Sequence, residues 1–347
     1  MRRLTVLSIA YPLAPVGPDA VGGSEQVLAA LDEALVAAGH RSVVIACEGS
    51  RVRGELVSYP APPPGRPIDA GVGLARQAWI RQATARVLAT TAVDVIHMHG
   101  VDFYSYLPPP GPPMLATLHL PPDWYPPEAM DPPRRHSWVH CVSEHQMRRA
   151  PPSQRMLAPI PNGVAVGKLG AVQPRKCNYA LMLARVCPEK GLHLALDAAQ
   201  AAGVPLLIGG EVFPYPAHQQ YFANEVAPRL DRRRRYLGPV GFRHKRRLLA
   251  AARCLLVPSL VAETSSLVAM EAASCGTPVI AFRTGALPEV VEDGRTGCVV
   301  DDVAGMAEAI RRADSISPDT CRDTAQRRFG MDRMAAAYLE RYHSLAA

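Results

Sequence analysis

Short apolar runs alternate with amphipathic stretches along the whole chain. The runs Leu4–Tyr11, Ser42–Cys47 and Cys254–Ser259 are aliphatic and bounded by turn residues, as buried parallel strands are. Between such runs, Gln26–Ala38 and Leu192–Ala202 carry apolar residues at helical spacing. This alternation of strand and helix predicts an α/β protein built on parallel sheets.

The same patterns predict the remaining elements and the domain organisation. Further strands are expected at Val93–His99, Met114–His119, Ser137–Ser143, Met156–Gly163, Tyr179–Ala184, Leu206–Glu211 and Tyr236–Val240, and further helices at Ala70–Thr91, Tyr215–Leu230 and Val303–Ala313. A chain of 347 residues is longer than one hydrophobic core usually organises. Periodicity lapses after Val164, where small residues dominate. We therefore predict a domain at 1–165, a linker at 166–176, a second domain at 177–328 and an amphipathic helix at 329–347.

The segment Glu263–Phe282 carries the strongest chemical signal. It follows a predicted strand, and Thr264 to Ser266 offer hydroxyl groups that can cap a helix running from Leu267 towards Gly276. A helix that begins at the carboxyl end of a parallel strand presents unpaired N–H groups and the positive end of its dipole. Such a helix start is predicted to bind phosphate.

Two glutamates flank this helix start. Glu271 lies about 7–8 Å below the first N–H groups, roughly the distance from a diphosphate to the ribose of a nucleotide. Glu263 precedes the helix on the loop, where its carboxylate can reach a sugar. The alternative is a surface helix with one exposed glutamate and one glutamate on the loop before it, since charged residues are mostly solvated.

Two positions in the first domain are also placed for ligand contact. Gly22 and Gly23 stand before a predicted helix, where the absence of Cβ atoms lets backbone amides approach a ligand. His119 closes a predicted strand, the end at which open α/β sheets bind ligands.

His97 and His99 alternate in one strand and so share a face. A metal pair is conceivable there, but hydrogen-bonded structural histidines are the favoured interpretation.

Charge and cysteine content indicate which partners and which cellular compartment to expect. The formal net charge is +7, and the densest basic runs are 231–235 and 243–247. No aromatic platform accompanies these runs, so nucleic acid is not an expected partner. They are expected to be solvated faces, or a patch that meets an anionic acceptor or membrane. The eight cysteines form no Cys-x-x-Cys pair, which favours buried free thiols and a cytoplasmic location.

The amino terminus imitates a signal peptide, with two arginines before a short apolar run. We interpret it as a strand, because Tyr11 and Pro12 break the run and a Gly-Gly helix start follows. No uncharged apolar stretch is long enough for a transmembrane helix.

The motifs together resemble glycosyltransferase family 4. Its members carry a Glu-x7-Glu signature followed by a Gly-Thr-Pro-Val turn, here Glu263, Glu271 and Gly276–Val279. Gly22–Glu25 and Pro161–Val164 match further segments of the family. The resemblance implies the GT-B fold: two doubly wound, Rossmann-like parallel-sheet domains that face each other across a cleft.

The resemblance also implies roles for individual residues. The residues expected to act in transfer are His119, Glu263, Arg185 and Lys190. Those expected to bind the donor are Gly22, Gly23, Arg185, Lys190, Val240, Ser265, Ser266, Leu267 and Glu271. Within this set the two basic side chains hold the diphosphate, because preorganised cations stabilise the charge of a departing nucleoside diphosphate. One departure is the triplet Thr264–Ser266, where family members usually have Gly-Phe-Gly or a similar triplet.

We therefore expect a retaining glycosyltransferase that moves a sugar from a nucleoside-diphosphate sugar, a UDP-sugar by preference, to an acceptor hydroxyl. The acceptor is expected to be a small molecule, a glycan or a lipid. No cofactor is expected and no metal is required, because the sequence lacks an Asp-x-Asp motif and cations can replace the charge of a metal. Two alternatives stay open: a nucleotide-sugar 2-epimerase of the same fold, and a non-catalytic basic protein that binds RNA or lipid.

Overall fold

The computed structural model describes residues 2–20, 22–61 and 70–347. The chain divides into two compact units, Met1–Asn162 with Asp332–Ala347, and Gly163–Met331. Each unit is built around one sheet, and every strand pair in both sheets is parallel. The prediction of an α/β protein with two parallel-sheet domains is confirmed.

The first unit contains a seven-stranded sheet in the order β3-β2-β1-β4-β5-β6-β7. Its strands are β1 Thr5–Ile9, β2 Arg41–Cys47, β3 Glu55–Tyr59, β4 Val95–Met98, β5 Met114–Thr117, β6 Ser137–His140 and β7 Met156–Leu157. Its helices are α1 Gly23–Ala37, α2 Ala70–Thr90, α3 Pro127–Met130 and α4 Glu144–Arg149.

The second unit contains a six-stranded sheet in the order β10-β9-β8-β11-β12-β13. Its strands are β8 Ala180–Leu183, β9 Leu206–Gly209, β10 Arg234–Tyr236, β11 Cys254–Val257, β12 Val279–Phe282 and β13 Gly297–Val300. Its helices are α5 Val166–Gly170, α6 Leu192–Ala202, α7 Pro216–Tyr221, α8 Phe242–Ala251, α9 Leu267–Ser274, α10 Leu287–Val290, α11 Val303–Arg312 and α12 Pro318–Arg328. Helix α13, Met331–Leu345, then belongs almost entirely to the first unit.

Both faces of the second sheet are covered, which explains why its strands are continuous apolar runs. Side chains alternate between the two faces of a strand. In β11, Leu255 and Val257 enter one hydrophobic cluster, while Cys254 and Leu256 enter the cluster on the opposite face. Every residue of β11 is therefore buried and apolar.

In each sheet the strand order reverses once. In the first unit β1 lies between β2 and β4, and in the second β8 lies between β9 and β11. Loops from the two central strands leave in opposite directions at such a point and open a crevice at the carboxyl edge. Ligand-contacting residues are expected there.

Helix α13 completes the core of the first unit. Tyr338 and Tyr342 are fully buried. Their hydroxyl groups reach the side chains of Thr117 and His97 in the sheet. Among the described helices, none combines the length and apolar character needed to cross a bilayer.

Several predicted elements differ from the structure. The predicted linker contains helix α5, whose Leu169 is buried in the core of the second unit. The predicted strand Tyr236–Val240 is wrong, because β10 ends at Tyr236 and the following residues form a loop. Strand β3 and helix α12 were not predicted. Neither has a continuous buried face: β3 is largely exposed, and α12 buries only Cys321, Thr324 and Ala325.

Candidate active site

In the second unit, the two central strands deliver predicted site residues to one edge of the sheet. Arg185 follows β8 by two residues, and its side chain is exposed. The loop that leaves the neighbouring β11 carries Ser259 and Glu263. Because the strands are parallel and adjacent, their carboxyl ends meet at the reversal of strand order.

The geometry after β8 depends on a close backbone contact. Gly210 follows β9, and a Cβ atom there would lie 1.8 Å from the carbonyl oxygen of Ala184. Only glycine permits this approach. The contact positions the backbone immediately before Arg185.

Lys190 and Glu263 form an ion pair although 73 residues separate them. Lys190 Nζ lies 2.6 Å from Glu263 Oε1, and the two side chains are 24% and 13% exposed. The hydroxyl of the buried Ser259 donates to the same carboxylate oxygen. The structure thus brings together an ammonium and a carboxylate that the sequence assigned to the diphosphate and the sugar of one donor.

A second glycine fixes the backbone of Glu263. Gly285 has a φ of +56°, and a Cβ atom there would lie 2.2 Å from both N and O of Glu263. The carbonyl of Glu263 accepts a 2.7 Å hydrogen bond from Ala286 N–H. The loop after β12 therefore supports the loop after β11.

Helix α9 begins beside this ion pair at Ser266, its N-cap. The first helical hydrogen bond runs from Met270 N–H to the carbonyl of Ser266, at 3.1 Å. The N–H groups of Leu267, Val268 and Ala269 therefore precede the helical ladder and can point to an anion. The predicted hydroxyl cap is wrong for Ser266, which makes no side-chain cap, and the buried hydroxyl of Ser265 has no hydrogen-bond partner in the described part of the chain.

Glu271 lies inside α9 and is nearly buried. Lys245 on α8 places its Nζ 2.5 Å from Glu271 Oε1, with side-chain exposures of 14% and 8% for the lysine and the glutamate. The alternative of a solvated surface glutamate at this position is therefore wrong. The carboxylate is held at a defined place one to two turns below the open amides.

Val240 lies in the loop before α8 rather than at a strand end. It is half-buried and packs on the core of the second unit. Its Cγ2 would lie 3.1 Å from a Cβ atom on Gly209. It therefore lines the carboxyl end of β9, next to the strand that delivers Arg185.

In the first unit, Gly22 and Gly23 stand at the start of α1, after the central strand β1. Gly22 is the N-cap and Gly23 is exposed. The carboxylate of the buried Glu25 folds back over Gly22, so that a Cβ atom on Gly22 would meet Glu25 Oε2 at 1.9 Å. Only glycine fits at this position, because any Cβ atom would collide with the Glu25 carboxylate.

His119 follows β5 at the same edge. Its backbone N–H donates to Tyr125 Oη at 2.9 Å, which holds the loop after the strand. Burial lowers the pKa of its imidazole to about 4. His119 is therefore neutral near pH 7 and can exchange hydrogen bonds with sugar hydroxyls without adding charge.

His97 and His99 differ in their hydrogen bonding, although their ring centroids lie only 3.9 Å apart. His97 is bonded through both nitrogens, to Tyr342 Oη at 2.6 Å and Thr117 Oγ1 at 2.7 Å. This confirms the structural interpretation of His97. His99 is buried, and neither of its ring nitrogens has a hydrogen-bond partner among residues 2–20, 22–61 and 70–347.

Two contributors to the site escaped the sequence analysis. Lys245 belongs to the basic run 243–247, for which the sequence predicts a solvated face, and Ser259 is the last residue of a predicted strand. A signal for Lys245 was present, because it lies three residues after Phe242 and four before the buried Leu249, on the inward face of α8. Nothing in the sequence marked Ser259 as a partner of Glu263.

Two parallel-sheet units, each with one reversal of strand order, and a helix start with open amides near paired charges are the architecture of a class of two-domain glycosyltransferases. The family model described as "Glycosyltransferase Family 4" matches residues 21–165. That described as "Glycosyl transferases group 1" matches residues 177–314. The chain belongs to this glycosyltransferase family and has the GT-B fold.

Curated relatives match over part of their length. A D-inositol 3-phosphate glycosyltransferase of Mycobacterium sp. (strain KMS) is 33% identical over 171 residues, covering 48% of this chain and 35% of the relative. A glycogen synthase of Mycobacterium tuberculosis (strain CDC 1551 / Oshkosh) is 33% identical over 163 residues, covering 44% and 38%. The alignment thus spans little more than a third of each relative.

Solved structures match over nearly the whole chain. The glycosyltransferase AviGT4, involved in avilamycin A biosynthesis, is 25% identical with a TM-score of 0.73, covering 99% of this chain and 98% of AviGT4. A sucrose-phosphate synthase from Thermosynechococcus elongatus has a TM-score of 0.79 at 20% identity, covering 99% of both chains. HepE from Anabaena, in complex with UDP-glucose, has a TM-score of 0.74 at 17% identity, covering 99% of this chain and 100% of HepE.

Proposed function

We propose that the protein is a retaining glycosyltransferase that moves a sugar from a UDP-sugar to an acceptor hydroxyl. The observation that carries the proposal is the convergence of Lys190, Glu263 and the start of α9 at the reversal of strand order. The binding of UDP-glucose by the similar fold of HepE supports the choice of donor. The names of the relatives, D-inositol 3-phosphate glycosyltransferase and glycogen synthase, support an acceptor hydroxyl on a small molecule or a glycan, and a lipid acceptor is the third possibility.

Each charged group has a distinct task in this proposal. Arg185 and Lys190 balance the diphosphate, whose negative charge grows as the glycosidic bond breaks. The free amides of α9 add fixed partial positive charge beside it. Glu271 binds the ribose hydroxyls, with Lys245 fixing the position of its carboxylate.

The ion pair between Lys190 and Glu263 opens when the donor binds, and each side chain then exchanges its partner for a group of the donor. Without donor, each charge neutralises the other at 2.6 Å. A bound diphosphate competes for the ammonium, and a sugar hydroxyl can donate to the carboxylate. Both partners are thus placed before the ligand arrives, which reduces the cost of reorganisation.

We further propose that transfer requires no metal ion at the reacting phosphate, because two side-chain cations and a helix start supply its counter-charge. In front-face transfer the leaving phosphate oxygen accepts the proton of the acceptor hydroxyl. No enzyme carboxylate then becomes a covalent nucleophile. Turnover is expected to be unchanged by added Mg²⁺.

A thermal-shift screen of UDP-, GDP-, ADP- and TDP-sugars tests the donor. A ligand that binds only the folded state stabilises it by mass action, by about 2.7 kcal/mol at one hundred times its dissociation constant. We expect the UDP-sugars to raise the melting temperature most. Stabilisation by none of the four classes would contradict the proposal.

Lys190→Ala tests the chemistry. We expect a loss of about 10² or more in turnover, because an ammonium beside the leaving group stabilises charge that develops in the transition state. Lys168→Ala, which removes an exposed lysine of the same unit, is the matched control. Product anomers resolved by NMR decide retention, and epimerisation of the donor without transfer would favour the epimerase.

A further inference from the structure

Three potential metal ligands meet beside the proposed diphosphate site. Cys187, Glu189 and His218 each offer one ligand atom, and these atoms all lie within 4.8 Å of one another. Cys187 and Glu189 lie between Arg185 and Lys190, whereas His218 comes from helix α7. No role in the proposed transfer uses any of the three.

The backbone holds the two contributing segments side by side. Val186 N–H donates to the carbonyl of Glu211 at 2.9 Å, which joins the loop after β8 to the segment leading into α7. Cys187 begins the 3₁₀ turn Pro188–Lys190 with an extended backbone. The cluster thus has two ligands on one short turn and a third on a neighbouring helix.

The side chains are ordered by their surroundings. Cys187 is almost fully buried, and its thiol donates to the carbonyl of Arg185 at 3.8 Å, with the Glu189 carboxylate also nearby. The ring of His218 packs edge-on against Tyr215, with centroids 5.1 Å apart. Its Nδ1 is buried and finds no hydrogen-bond partner in the described part of the chain. This ring also offers a nitrogen within 4.8 Å of a thiol and a carboxylate, so a metal ion is a suitable further partner for the cluster.

The three groups form the ligand set of a zinc ion. Zn²⁺ takes cysteine sulfur, histidine nitrogen and carboxylate oxygen in tetrahedral geometry at about 2.0–2.3 Å. These bond lengths place neighbouring ligand atoms about 3.6 Å apart, so small side-chain rotations suffice from the observed spacing. Mg²⁺ and Ca²⁺ prefer oxygen ligands and fit this set poorly.

We propose that Cys187, Glu189 and His218 bind one zinc-like divalent ion, with the cysteine as thiolate. The metal displaces the thiol proton on binding. Three protein ligands leave a fourth position for water or another small ligand. The ion would tie the turn that carries Lys190 to helix α7.

The test uses the untagged full chain, stripped of metal with a chelator and kept reduced. Co²⁺ serves as a spectroscopic probe, and Zn²⁺ binding is measured by calorimetry. We expect one ion per chain and a thiolate-to-cobalt charge-transfer absorption that added Zn²⁺ removes. No saturable binding, or equal competition by Mg²⁺, would overturn the proposal.

Two single variants separate this site from adventitious binding. Cys187→Ser should abolish the charge-transfer absorption, and His218→Gln should weaken Zn²⁺ binding by more than about tenfold. Cys177→Ser, which removes the exposed thiol, is the control and should retain both signals. Loss of binding in Cys177→Ser, or full affinity in His218→Gln, would refute the assignment. Nucleotide-sugar thermal shifts in the same variants report the donor site separately.

Discussion

At the residue scale, the site depends on charges that are paired before any ligand arrives. Lys190 and Lys245 each face a carboxylate from another element, at 2.6 Å and 2.5 Å. The pair of Lys190 with Glu263 is the more exposed of the two, which suits an exchange of partners. The pair of Lys245 with Glu271 is nearly closed to solvent, which suits a fixed support.

This difference predicts the result of removing Lys245. Lys245→Met keeps the stem of the side chain but leaves the buried carboxylate of Glu271 without its partner. We expect a loss of about 1–3 kcal/mol in the free energy of unfolding, the usual cost of an unsatisfied buried group. Chemical denaturation followed by circular dichroism measures it.

A double variant separates pairing from packing. When Glu271→Leu is added to Lys245→Met, no charge is left unpaired, and much of the lost stability should return. Nucleotide affinity should stay low in the double variant, because the ribose contact is gone. Equal instability of the single and double variants would show that the pair contributes only by packing.

The sequence predicts some of these residues better than others. Glu263 and Glu271 are found by spacing, since a helix start and its first two turns have fixed dimensions. The partners Lys245 and Ser259 depend on how distant elements pack, which no local pattern records. The absent hydroxyl cap at Ser266 is a similar case, because burial and the neighbouring loop decide where a serine side chain turns.

At the scale of elements, prediction works where the buried face of an element is continuous and its ends are marked by turn residues. Helix α6 occurs at the predicted residues 192–202 because glycines border it and its apolar stripe is complete. Strand β3 lies at the edge of its sheet and is largely exposed, so no run of buried apolar residues marks it in the sequence. The predicted strand at Tyr236–Val240 is wrong because Val240 contacts the core from a loop. In a loop, buried apolar residues follow no regular spacing, so they can be mistaken for part of a strand.

One hydrogen bond tests how strongly helix α13 is held on the sheet of the first unit. Tyr342→Phe removes the hydroxyl that contacts His97 Nδ1 at 2.6 Å within the core. We expect a loss of about 1–3 kcal/mol, because a buried ring nitrogen is left without a partner. All three tryptophans lie in the first unit, so their fluorescence reports the unfolding of that unit selectively: Trp79, Trp124 and Trp138.

The control for this variant is Tyr104→Phe, the same chemical change at a half-buried tyrosine outside the network. It should alter stability by less than about 0.5 kcal/mol. If both variants behave alike, the bond to His97 does not contribute to docking.

At the scale of the whole molecule, the first unit is predicted to respond to acid through its histidines. His97, His99 and His140 are buried and His119 is half-buried, and desolvation lowers the pKa of each below 6.5. The pKa falls to about 4 for His119 and about 3 for His140. In the unfolded chain the same groups take up protons near pH 6.5.

The first unit is therefore predicted to lose stability as the pH falls below 6.5. Between pH 6.5 and 5 the unfolded state binds more protons than the folded state, so the free energy of unfolding decreases with falling pH. Each pKa unit of difference corresponds to about 1.4 kcal/mol. Urea unfolding followed by tryptophan fluorescence at several pH values measures the slope.

The variant His140→Gln removes one of these groups and should reduce the slope by about one proton. A free energy of unfolding that is constant from pH 6.5 to 5 would contradict the prediction. Carboxylates contribute little in this window, since most titrate lower.

The path of the chain has a consequence for folding during synthesis. Residues 163–331 form the second unit without interruption, so this unit can fold as soon as residue 331 has left the ribosome. The first unit begins earlier in the chain but lacks Tyr338 and Tyr342 until translation passes them. His97 and Thr117 therefore remain partly exposed while more than two hundred further residues are synthesised. The half that starts first is thus completed last.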